Sequence, residues 1–153
     1  MKKISGRNSA QADNGLPKLK TSADIADALK ACQRQARTGN KADAAAALIQ
    51  IALTLHDNKK SADESRRAYI DASKLFVAVG NLESAGSALL SAGLIAKRQK
   101  QMSTARKNFS DAGALFERAS DSTTDQMHQP DVLRLAIVAW RHAAMSAPRR
   151  DNG

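Results

Sequence analysis

Aromatic side chains are nearly missing from this 153-residue chain, which holds one Trp, one Tyr and three Phe. A sheet-based core is poorly served by that supply, because strands draw on aromatic and β-branched residues for cross-strand packing. Cysteine is represented only by Cys32, which excludes an internal disulfide and agrees with a reducing compartment. No apolar run approaches the roughly 18 residues of a membrane span. Met1-Lys2-Lys3 resembles the start of a signal peptide, yet Ser5, Gly6, Arg7, Asn8 and Ser9 follow where an apolar region should. The chain is therefore expected to be cytoplasmic, with no membrane span.

Reaction chemistry is equally scarce. No Gly-rich phosphate loop, nucleophile elbow or dinucleotide fingerprint occurs. His56, His128 and His142 are scattered without a His or Cys at metal-ligand spacing, and they read as surface or loop residues. Cys32 sits on an apolar face with no histidine near it in sequence. The expectation is a protein that is not an enzyme, with no cofactor and no metal.

What is present is alanine, thirty residues of it. Alanine is the best helix former, so small-residue helices that approach one another closely are the natural fold. The pattern is clearest from Ser61 to Arg98. Ser61 and Glu64 have capping-box spacing, and Tyr69, Ala72, Phe76 and Val79 recur on one helical stripe. Gly80 closes the helix and Asn81 caps the next, whose inner face is Ala85, Leu89, Ala92 and Ala96. Gly86 and Gly93 lie inside that helix at a seven-residue spacing, which points to close approach of another helix.

Earlier in the chain, Thr21 or Ser22 caps a helix faced by Ile25, Ala28, Leu29, Cys32 and Ala36. Gly39-Asn40 then turns it into a run faced by Ala44, Leu48, Ile51 and Leu55. Gly39-Asn40 and Gly80-Asn81 are 41 residues apart, and at that offset Ala31 matches Ala72, Ala44 matches Ala85 and Leu48 matches Leu89. Such a period indicates a repeat array. A third, decayed hairpin follows, with Ser103 to Ala119 as its first helix and a polar connection over 120–129. Its last helix, from Pro130, is apolar on a broad face: Val132, Leu133, Ala136, Ile137, Trp140, Ala143 and Ala144. That face either caps the stack or meets a partner, a second copy of the chain included.

The fold expected is all-α: about six antiparallel helices in three stacked hairpins, with a four-helix-type bundle carrying extra helices as the alternative. Residues 1–20 hold five basic groups against one acid and read as a disordered basic arm, 21–148 as a single helical-repeat domain, and 149–153 as a flexible tail.

Residues 72–92 read Ala-Ser-x-x-Phe, then Gly80-Asn81-Leu82-Glu83, then Ala85-x3-Leu89-x2-Ala92, and Ala105-x3-Phe109-x2-Ala112 repeats the last element. This resembles the tetratricopeptide-like repeats, including the looser version found in soluble NSF-attachment proteins. The early Trp, the Leu-Gly pair and the repeat-ending Pro of the common repeat are not there, and the period is 41. The resemblance implies that the first helix of each pair lines a concave surface, with Gln33 and Arg37 exposed on the first and Arg67, Ile70 and Lys74 on the second. A basic groove of that kind suits an acidic peptide or helical segment of another protein, as in an adaptor or chaperone-like scaffold. Two other readings stay open. The basic arm and helix faces would serve nucleic acid, although at least four aromatics fall on inward stripes and leave little for base stacking. The polar N-terminus would also suit a secreted bacterial effector or secretion accessory protein exported on an uncleaved signal.

Overall fold

The computed structural model describes residues 19 and 21–148. Its elements are α1 (Ser22–Arg37), α2 (Lys41–Leu55), a 3-10 turn (Lys59–Ser61), α3 (Ala62–Ala78), α4 (Leu82–Arg98), α5 (Met102–Ser122) and α6 (Gln129–Met145). The main contacts run from each helix to the next in chain order. That is the signature of stacked hairpins; a four-helix bundle would also pack α1 on α4, so the bundle alternative is set aside. The expected N-terminal arm, Leu19 apart, and the C-terminal tail lie outside the described residues.

Local chemistry explains the helix boundaries. Thr21 forms a full capping box with Asp24, each side chain bonded to the other's backbone N–H. Gly39 (φ 98°) and Gly80 (φ 79°) adopt the left-handed conformation, and Asn40 and Asn81 cap the helices that follow. The box expected at Ser61 and Glu64 does not form. Ser61 ends the 3-10 turn with its N–H on the Asn58 carbonyl at 3.0 Å, so the backbone enters α3 already wound and the Ser61 side chain makes no cap bond. The third connection also differs. Asp121 and Ser122 extend α5 beyond Ala119 instead of forming a turn, and Val79 is exposed at the end of α3 while Phe76 is half-buried.

A further closing turn lies between α4 and α5, where no Gly-Asn pair marks it. Gln101 N–H reaches the Ala96 carbonyl at 2.9 Å, just as Asn81 N–H reaches Phe76 at 2.9 Å, and Lys100 takes the left-handed position with φ 59°. A side chain there costs roughly 1–2 kcal/mol, and glycine returns about 0.4–1 kcal/mol of that through its looser unfolded chain. Lys100→Gly is therefore expected to stabilise the protein by about 0.5 kcal/mol in urea denaturation.

Aromatic rings seated on glycines hold the C-terminal half together. Phe116 and Phe109 of α5, both fully buried, lie on Gly86 and Gly93 of α4. Trp140 of α6 lays its indole across Gly113 of α5. His142 stacks on the Phe109 ring at 5.0 Å between centroids and is half-buried, a core role at odds with the surface position expected for it. In the N-terminal half buried hydroxyls tie the helices: Ser65 donates to the Ala52 carbonyl at 2.7 Å and Ser73 to the Ala85 carbonyl at 2.9 Å.

His128, before α6, bonds Glu83 at the start of α4 at 2.8 Å. That hydrogen bond, then the Glu83 charge, raises the imidazole above its ordinary value. A group whose folded pKa is raised contributes stability fully below its unfolded value, near 6.5, and loses it as pH rises through the folded value. His128→Gln should abolish that part of the pH dependence of unfolding and leave the rest of the curve in place.

Candidate functional site

The first helices of the hairpins, α1, α3 and α5, border two grooves. One, of about 530 Å³, is lined by Gln33 and Arg37 of α1 and by Arg67, Asp71 and Lys74 of α3 over a floor that includes Leu29, Leu48 and Leu75. The other, of about 680 Å³, runs between α3 and α5, with Ile70, Lys74, Lys107, Asn108, Asp111 and Arg118 around Val77, Leu89 and Leu115. Lys74 borders both. Helical spacing explains the convergence: residues three and four apart share a face, so 67, 70, 71 and 74 project from one side of α3.

All five residues singled out from the sequence lie on these grooves. Gln33, Arg37, Arg67 and Lys74 are exposed in the first, and half-buried Ile70 joins Lys74 in the second. The α5 contribution was missed, although the 41-residue period carries it. Stepping on from Arg67, Ile70 and Lys74 reaches Asn108, Asp111 and Leu115, and all three line the second groove.

Five cations, Arg37, Arg67, Lys74, Lys107 and Arg118, face two carboxylates, Asp71 and Asp111. Lys74 meets Asp71 at 3.1 Å and Lys107 meets Asp111 at 3.5 Å, both as exposed i,i+3 or i,i+4 pairs of small net worth. Arg37, Arg67 and Arg118 form no salt bridge among the described residues. The grooves are thus apolar below and positive at the rim. Asn108 is almost wholly buried and its amide nitrogen has no partner among the described residues, leaving hydrogen-bonding capacity beside the second groove.

Burial pushes the Cys32 thiol up, so it stays protonated and weakly nucleophilic. Asp63 is held below its ordinary value by hydrogen bonds from Arg66 and Gln99, and that bonding ties the start of α3 to the end of α4. Among the described residues no three His, Cys, Asp or Glu gather as a metal-ligand set. No described helix is long and apolar enough to cross a membrane.

Compared with known proteins, the chain matches the family model described as soluble NSF attachment protein, SNAP, over residues 18–140. Searches of the curated proteins and of the solved structures return no match.

Proposed function

The chain belongs to the soluble NSF attachment protein (SNAP) family, and on that premise we propose that it is a non-enzymatic adaptor or chaperone-like scaffold that holds an acidic peptide or helix of a partner protein. The observation that carries this reading is the pair of grooves bordered by α1, α3 and α5, with five cations over an apolar floor. Carboxylates would bond the guanidinium and ammonium groups with charge assistance, and apolar side chains would seat on Ile70, Val77, Leu89 and Leu115. Gln33, Arg37, Arg67, Ile70 and Lys74 are the contacts proposed for it.

Nucleic acid would use the same cations, but none of the five aromatic rings lines either groove, so bases would find no stacking platform there. The protein reading is therefore favoured. Its test is affinity capture after nuclease treatment, using the whole chain and a chain lacking residues 2–18. Leu19 stays in both because it packs against the first core cluster. Retention of the same one or two proteins by both chains is expected. Loss of binding with nuclease or with the arm would reject the adaptor reading and transfer the function to the basic segment.

A further inference from the structure

The outer face of α6 carries a seam that the stack leaves open. On α4, each of Ala88, Ala92 and Ile95, which pack towards α3, is followed by a residue that packs towards α5: Leu89, Gly93 and Ala96. A helix inside the stack therefore has two stripes, one residue out of step, one for the preceding helix and one for the next. On α6, Val132, Ala136, Ala139 and Ala143 are buried on α5. The stripe one residue on is Leu133, Ile137, Trp140 and Ala144, with the alternating four- and three-residue spacing of a helix-packing seam. Ile137 is exposed by 65 %, Leu133 by 42 %, and Ala144 is exposed too, while Trp140, its indole across Gly113 of α5, leaves its outer edge open.

We propose that this stripe docks an acidic amphipathic helix of another protein, laid along the outer side of α6. This surface is separate from the concave groove and does not depend on it. Charge selects the occupant. Arg134 and Arg141 lie on the solvent side of the stripe; Arg134 is paired only with Asp131, at 3.1 Å, and Arg141 forms no salt bridge among the described residues. A second copy packed antiparallel on the stripe would bring its own Arg134 and Arg141 to the same edge. The chain's own N-terminal segment is basic as well. Neither matches the sign of this edge, whereas glutamates flanking an apolar seam do.

Trp140 is the sole tryptophan of the chain and lies on the stripe, so its emission reports occupancy directly. The probe is a 21-residue helical peptide of three heptads with Leu and Ala on the seam and Glu beside it, together with a twin bearing Lys in place of Glu. The Glu peptide is expected to shift Trp140 emission to the blue in a saturable, salt-sensitive manner, binding at least tenfold more tightly than the Lys twin. Ile137→Glu, at an exposed position that leaves the helical circular dichroism unchanged, should abolish the response. Arg141→Glu should remove the preference for the Glu peptide, and the pair Arg37→Glu, Arg67→Glu should leave the response intact. Equal binding of both peptides, or binding of neither, overturns the proposal. So does an emission shift with chain concentration alone, accompanied by a dimer in sedimentation, since the stripe would then belong to a second copy.

Discussion

Replacing Gly93 by alanine is expected to destabilise the stack by about 1–2 kcal/mol, although alanine is the better helix former by about 1 kcal/mol. A Cβ at Gly93 would stand 2.5 Å from Cε1 and 2.6 Å from Cδ1 of Phe109. The ring has nowhere to retreat, because Phe109 is fully buried and His142 of α6 stacks on it. Over-packing of this kind costs roughly 1–3 kcal/mol, sometimes more, and exceeds the propensity gain. Gly86→Ala meets Phe116 at 2.9 Å and should cost less. The control is Phe109→Leu in the Gly93→Ala background. Relief of the clash by the smaller side chain gives a favourable coupling in a double-mutant cycle, whereas a mere propensity effect gives none. Equilibrium denaturation of the four chains measures both, and a Gly93→Ala protein more stable than the parent would sink the close-approach account.

Reversing the concave charge should have the largest effect on binding. Arg37→Glu with Arg67→Glu replaces two cations of the first groove that form no salt bridge among the described residues by carboxylates, on exposed helix positions that carry no core packing. Each charge-assisted hydrogen bond is worth about 1.5–3 kcal/mol, and like-charge repulsion adds to its loss. Affinity for a partner captured by the parent chain should therefore fall by at least about 100-fold, with little change in melting temperature. Raising salt should weaken the parent complex in the same direction. Unchanged affinity in titration calorimetry would remove the first groove from the binding surface.

The helix stack was legible in the sequence because its signals are local. Gly39-Asn40 and Gly80-Asn81 mark turns through residues that left-handed backbone and N-cap geometry demand. The paired glycines Gly86 and Gly93 likewise announced the approach of another helix. What escaped was set by tertiary context. Lys100 adopts a glycine-like conformation without being glycine, so the turn before α5 carries no local mark. Ser61 has the right spacing for a capping box, but a preceding 3-10 turn already uses its N–H. Tyr69, Phe109 and Phe116 are buried as their stripes indicate, whereas Trp140, on the last of the described helices, keeps 39 % of its surface exposed. Periodicity shows that such a helix has two apolar faces; only the arrangement of neighbours shows which one is covered. The grooves were half legible for the same reason. The faces of α1 and α3 follow from helical spacing, while the α5 wall appears only once the period is carried one unit further.

The most direct test of the concave-face account is a map of backbone amide shifts as a captured partner segment is titrated into the labelled chain. The account places the changes on α1, α3 and α5, centred on Gln33, Arg37, Arg67, Ile70 and Lys74 and continuing to Lys107 and Asn108. Changes confined to α2 and α4, or to residues before Leu19, would contradict it.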